Sequence, residues 1–143
     1  MTTNTKVQSF QSHILIAGSG SGQALVLSEP LSLWGGLDPK TGEIIDRRHP
    51  QSGAIVTDCV LVLPSGRGSS SASSILLEAV RAKTAPAAII MTEIDAILAL
   101  GAAVAKEIYG SAPPVVVLDS DQYAQIHNSD TIHVVNGTVS VSK

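Results

Sequence analysis

The residues best suited to chemistry form one run, Pro64-Ser65-Gly66-Arg67-Gly68-Ser69-Ser70-Ser71-Ala72-Ser73-Ser74, between an apolar, β-branched segment and an amphipathic one. Such a loop carries the chain from a buried strand into a helix. Glycines allow it to turn tightly, and the first helical N–H groups, which have no partner within the helix, face outward at the positive end of the helix dipole. That is a setting for an anion. A serine hydroxyl placed there gains unusual chemistry: its alkoxide, very unfavourable in water, is stabilised by main-chain donors and by a cation such as Arg67, so the oxygen becomes usable as a proton acceptor. The same residues also read as a flexible Gly/Ser turn in which serine only caps a helix. Residue chemistry alone leaves both readings open.

Other candidates have blander readings. Asp38, Asp46 and His49 match no compact metal-ligand spacing and lie in turn-rich sequence, so a structural or subunit-contact role is expected. Trp34, the sole tryptophan, is either a core plug or an anchor in a partner's surface. Cys59 lies in an apolar run and is expected to be a buried, inert thiol. A lone cysteine forms no internal disulfide and does not by itself hold zinc or an iron–sulfur cluster, so no metal site is expected on this chain. Gly18-x-Gly20-x-Gly22 suggests a dinucleotide fingerprint, but strand-like residues 24–27 follow where that motif requires a helix. His13, His127 and His133 are isolated and are expected on strands or the surface. Asn136-Gly137-Thr138 has the form of a glycosylation sequon, yet a hairpin turn explains it and no secretory signal is expected.

The elements that position the serine loop follow from apolar periodicity. Residues 13–17 and 24–27 are short apolar runs, separated by the glycine–serine stretch 18–22. Turn chemistry dominates from Gly35-Gly36 through Asp38-Pro39-Lys40-Thr41-Gly42. Residues 54–56 followed by 59–63 predict a buried strand ending at Pro64. Then the rhythm changes. Residues 73–83 carry Ile75, Leu76, Ala79 and Val80 at helical spacing opposite Glu78 and Arg81; residues 87–91 predict a strand, and 94–108 a second helix stopped by Gly110 and Pro113-Pro114. With a strand at 115–118, the order is β-α-β-α-β, which favours parallel pairing. Residues 132–135 and 138–141 flank Asn136-Gly137, the dipeptide suited to a type I′ hairpin turn. A strand-rich first half joined to a β/α second half predicts an α/β, layered β/β/α domain.

Composition sets outer limits. The 143 residues are 44% hydrophobic and only 15% charged, which excludes an intrinsically disordered chain and suits one domain, with about 1–9 as a loose tail. Nine Lys and Arg against twelve Asp and Glu give a net charge of −3, so no basic stripe exists to neutralise a nucleic-acid backbone. No stretch approaches a membrane span, which makes a cytoplasmic protein the expectation. Low charge with abundant serine and glutamine is unlike a hyperthermophile surface and suggests a mesophile.

The segments Leu33-Trp34-Gly35-Gly36-Leu37-Asp38-Pro39-Lys40-Thr41-Gly42, Asp46-Arg47-Arg48-His49-Pro50 and Gly66-Arg67-Gly68-Ser69-Ser70-Ser71, in this order, resemble the small subunit, or swivel domain, of aconitase X enzymes. The likeness covers nearly the whole chain. It implies a swivelling β/β/α three-layer domain and a hydro-lyase built from a large catalytic subunit and this small one, sometimes fused. In that family the large subunit carries an iron or iron–sulfur centre, while the small subunit closes over the site and brings a serine base. Family substrates include cis-3-hydroxy-L-proline in bacteria and mevalonate 5-phosphate in archaea.

Carried over residue by residue, the resemblance puts the base at Ser69, with Ser70 as fallback, and makes Arg67, Gly68, Ser70 and Ser71 supporting or substrate-binding residues. The wider aconitase superfamily has a carboxylate-gripping arginine two positions beyond its base. Here that position is Ser71, a departure that favours a small monocarboxylate. The expected role is the small subunit of a cis-3-hydroxy-L-proline dehydratase, active only with its large subunit. The alternatives are the small subunit of a mevalonate-5-phosphate dehydratase and a non-catalytic anion-binding or regulatory module.

Overall fold

The structure, a computed structural model, describes residues 7–67 and 70–143. Its first part contains β1 (Val7–Gln11), β2 (His13–Ile16), β3 (Ser19–Val26), the tight turn α1 (Leu33–Gly36) and the small hairpin β4 (Leu37–Asp38) with β5 (Glu43–Ile44). The second part runs β6 (Val60–Val62), α2 (Ala72–Ala82), β7 (Ala88–Met91), α3 (Ala96–Tyr109), β8 (Val115–Val117), α4 (Ser120–Tyr123), β9 (Thr131–Val135) and β10 (Thr138–Ser142). An eight-stranded sheet has the order β1-β10-β9-β3-β6-β7-β8-β2. Strands β3, β6, β7 and β8 are parallel, as the β-α-β-α-β pattern requires, and antiparallel strands flank them.

The strand period of two explains the layers. On β6 and just beyond it, Leu61 and Leu63 face one way, and Val60 and Val62 the other; on β7, Ile89 and Met91 alternate with Ala88 and Ile90. The first set packs on Leu76 of α2 and on Leu98 and Ala102 of α3. The second packs on Ile132 and Val134 of β9 and Val139 and Val141 of β10. The parallel strands are therefore buried on both faces, between a helical layer and a layer formed where the sheet curls back. Strands β1 and β2, separated only by Ser12, occupy the two opposite edges of the sheet. There Ser12 N–H donates to the Gly137 carbonyl at 2.9 Å, and its hydroxyl to the same oxygen at 2.7 Å, so the sheet is nearly closed. The β9–β10 turn has φ 49° at Asn136 and 87° at Gly137, both positive as a type I′ turn requires.

Three local expectations are corrected. The glycine–serine stretch 18–22 does not separate two strands: Ser19 to Gln23 form the first half of β3 and pair with β9. A Cβ at Gly20 or Gly22 would collide with the Ala87 or Asp58 carbonyl, so glycine is needed for backbones to pass, not to bend. Residues 7–9, expected in a loose tail, belong to β1 and pair with β10, because β10 would otherwise present an open edge. The strand expected from 54 to 63 is reduced to Val60–Val62. Asp58 has φ 60° and breaks it, and Ile55, 47% exposed, instead bridges to Glu43.

Candidate functional site

The serine loop leaves β6 alongside the segment that leaves β3. Leu27 N–H donates to the Val62 carbonyl (2.7 Å), Leu31 N–H to Ser65 (3.4 Å) and Arg67 N–H back to Leu31 (3.2 Å), so the parallel pairing of β3 and β6 continues past the strand ends. The site thus forms at the carboxyl end of the parallel strands. Gly66 is required by its neighbour: a Cβ there would collide with the Asp95 carboxylate and crowd Leu98 Cδ1 at 3.3 Å. Asp95 caps α3, its Oδ1 accepting the Ile97 and Leu98 N–H groups at 3.0 and 3.1 Å. Sequence reasoning missed Asp95, although an acidic residue just before an apolar helical run is a recognisable cap signal.

Arg67 opens onto a cleft of about 490 Å³ lined also by Glu29, Pro30, Ser32, Trp34, Gly35, Gly36, Asp46, Arg48 and His49. Glu29, Pro30 and Ser32 are lining residues that no motif signalled. Trp34 is 58% exposed at the rim, which excludes the core-plug reading. Its turn has ψ 113° at Trp34 and φ 77° at Gly35, and the Ser32 hydroxyl donates to the Trp34 carbonyl at 3.2 Å. Across the cleft, Asp46 Oδ1 accepts Arg48 N–H at 3.0 Å and lies 3.4 Å from Arg48 Nε. The Arg48 main-chain N–H holds the Asp46 carboxyl below the usual carboxylate range; desolvation opposes it, and the Arg48 guanidinium adds a lesser downward pull. His49 is buried. Its Nδ1 accepts Gln51 N–H at 3.0 Å, so Nε2 carries the hydrogen and donates to the Glu29 carbonyl at 3.2 Å. Asp46 is thus paired with Arg48, whereas Arg67 forms no ion pair with a described residue.

Of the sequence-based site residues, Gly68 and Ser69 lie outside the described residues. Arg67 and Ser70 are exposed, and Ser71 is half-buried at the N-cap of α2. The helix-start amides are less available than expected. Ser73 N–H turns back to the Ser70 carbonyl (3.4 Å) and Ser74 N–H to Ser71 (3.1 Å), closing a tight first turn. Asp38 shapes its own turn, its carboxylate accepting Lys40 N–H at 2.9 Å. Cys59 is half-buried, not fully buried, and its thiol is pushed up from its ordinary value first by burial and then by Asp58. Among the described residues, no group of three or more His, Cys, Asp or Glu side chains is arranged to hold a metal ion. Asp38 and Asp46 each commit one carboxylate oxygen to their own turn, and both ring nitrogens of His49 are hydrogen-bonded within the protein, so the three do not form a ligand set.

Three separate motifs, around Trp34, Asp46 and Arg67, therefore converge on one cleft. The profile of the aconitase X swivel domain matches residues 9–142. The chain belongs to the aconitase X swivel domain family. Its fold matches the aconitase X of Thermococcus kodakaraensis with a TM-score of 0.85, at 26% identity over 95% of this chain and 99% of that one. A cis-3-hydroxy-L-proline dehydratase of Pseudomonas aeruginosa is 50% identical over 73% of this chain, and one of Hypocrea jecorina 42% identical over 87%. The matched region is only 18% and 21% of those two relatives, so this swivel domain spans about a fifth of their length. The phosphomevalonate dehydratase small subunit of Methanothermobacter thermautotrophicus is 42% identical over 64% of this chain and 70% of its own.

Proposed function

We propose that this swivel domain is the small subunit of a heteromeric dehydratase acting on cis-3-hydroxy-L-proline, and that Ser69 is its general base. The observation that carries this reading is the convergence of the Trp34, Asp46 and Arg67 segments on one cleft beside the serine loop. The Ser69 alkoxide takes the proton from C2 of the substrate, the C3 hydroxyl departs, and the net change is loss of water. The enamine so formed tautomerises to Δ1-pyrroline-2-carboxylate. Arg67 offers a guanidinium that no described carboxylate occupies, suited to the substrate carboxylate or to the serine oxygen. Serine at position 71, where the wider superfamily grips an additional carboxylate, favours a monocarboxylate.

The large subunit closes the cleft and excludes water. In this reading the family's iron or iron–sulfur centre belongs to that subunit, and no described residues of this chain form a ligand group for it. The 50% identity to the Pseudomonas aeruginosa cis-3-hydroxy-L-proline dehydratase, against 42% to the Methanothermobacter thermautotrophicus phosphomevalonate dehydratase small subunit, favours this substrate over mevalonate 5-phosphate. The test is reconstitution of the purified chain with its large subunit. Dehydration of cis-3-hydroxy-L-proline by the wild-type pair and its loss in the Ser69→Ala pair are expected. Turnover of mevalonate 5-phosphate alone would overturn the substrate, and full activity of the Ser69→Ala pair would overturn the base.

A further inference from the structure

The walls of the cleft are irregular segments, residues 28–36 and 46–51, and something must fix their separation. At one end Ile45 N–H donates to the Gly36 carbonyl at 2.8 Å. At the other end we propose that His49, a neutral imidazole with its hydrogen on Nε2, is the positioning residue that latches the two walls together.

The ring is turned inward, 6% exposed, while its neighbours Arg47, Arg48 and Pro50 face solvent. Nδ1 accepts Gln51 N–H within its own wall, and Nε2 donates across to the Glu29 carbonyl of the other wall. The main chain of His49 is held as well, its N–H donating to the Asp46 carbonyl at 3.0 Å and its carbonyl accepting Ser52 N–H at 3.1 Å. Gln51, fixed by Nδ1, makes a second crossing: its side-chain oxygen accepts Ser28 N–H at 3.1 Å. One ring therefore controls both links at this end of the walls. Arg48, immediately before it, is carried by the same turn and lines the cleft with Arg67. The charged groups that line the cleft with His49 are Asp46 and Arg48 on its own turn, Glu29 on the opposing segment and Arg67 from the serine loop. With both ring nitrogens engaged inside the protein, the imidazole is spent on geometry and does not touch substrate.

The latch can be read in the isolated chain, independently of any activity. Ring ¹⁵N shifts of the wild type are expected to show unprotonated Nδ1 and protonated Nε2; the opposite tautomer would overturn the proposal. His49→Asn can keep an acceptor where Nδ1 stood, His49→Gln a donor where Nε2 stood, and His49→Ala has neither. Gln51 amide exchange is expected to accelerate in the alanine variant and to recover in the asparagine variant. In the reconstituted pair, whose use here rests on the proposed dehydration, His49→Ala is expected to lower kcat/KM about 10²-fold through displaced walls, mainly in KM, with partial rescue by asparagine or glutamine. Wild-type Gln51 exchange and wild-type KM in His49→Ala would overturn the latch. If the alanine variant does not fold, the wild-type tautomer and the asparagine variant decide. Absence of dehydration by the wild-type pair would sink the functional reading while the tautomer still judged the latch.

Discussion

Two strand-to-helix connections leave neighbouring parallel strands of the same sheet, and they are built differently. The β7–α3 connection ends in Asp95, whose carboxylate takes the Ile97 and Leu98 N–H groups, placing a negative charge at the positive end of the helix dipole. The β6–α2 connection has no acidic residue in the first turn of its helix; Ser71 at its N-cap makes no capping bond to that helix, and the Arg67 side chain points into an open cleft. One connection is finished by a carboxylate at its helix start, whereas in the other Arg67 forms no ion pair with a described residue. The finished one also supports the other, because the Asp95 carboxylate and Leu98 pack directly over Gly66. A stable cap is thus packed against the residue that precedes Arg67.

This contrast can be tested from its largest consequence downward. Ser69→Ala in the β6–α2 connection is expected to lower turnover by the reconstituted pair about 10²- to 10⁴-fold while leaving the melting temperature of the isolated chain unchanged. Arg67→Ala is expected to lower kcat/KM about 10- to 10²-fold, the scale of one lost charged hydrogen bond; steady-state kinetics against Arg67→Lys show how much of that is geometry and how much is charge. Gly66→Val, which drives a side chain into Asp95 and Leu98, is expected to cost about 1–3 kcal/mol of stability by denaturant unfolding and to lower activity with it, coupling the two connections. In the finished connection, Asp95→Ala is expected to cost about 1 kcal/mol of stability, with a smaller effect on turnover than either Ser69→Ala or Arg67→Ala. The smallest effect is spectroscopic: the amides of Ile97 and Leu98 are expected to exchange more slowly than that of Ser73, whose bond to Ser70 is long at 3.4 Å. Equal protection at both helix starts would erase the contrast.

Legibility followed the range of the forces involved. The helices over residues 73–83 and 94–108 were readable because apolar spacing is local, and they stand at Ala72–Ala82 and Ala96–Tyr109. Asn136-Gly137 marked its hairpin because few residues take two successive positive φ angles. Gly20 and Gly22 misled: locally they signal a break, but their need arises from carbonyls at Ala87 and Asp58, far along the chain. Residues 7–9 misled for the same reason, since their strand exists only because β10 lies beside it. At the site, Arg67 and the serine loop were visible as chemistry. That Glu29 and Ser32 line the same cleft, and that His49 ties its walls, depends on contacts between segments about twenty residues apart.

By itself the sequence determined the β-α-β-α-β order, the glycine–serine entry to α2 and the three motifs that mark the family, because each is written in residues close together in the chain. Only the tertiary structure decided that those motifs share one cleft, that Trp34 stands at its rim, and that His49 faces inward to meet the Glu29 carbonyl. The reason is physical. Which hydroxyl, carboxylate or ring nitrogen remains available is set by what packs against it, and at this site those neighbours come from distant parts of the chain.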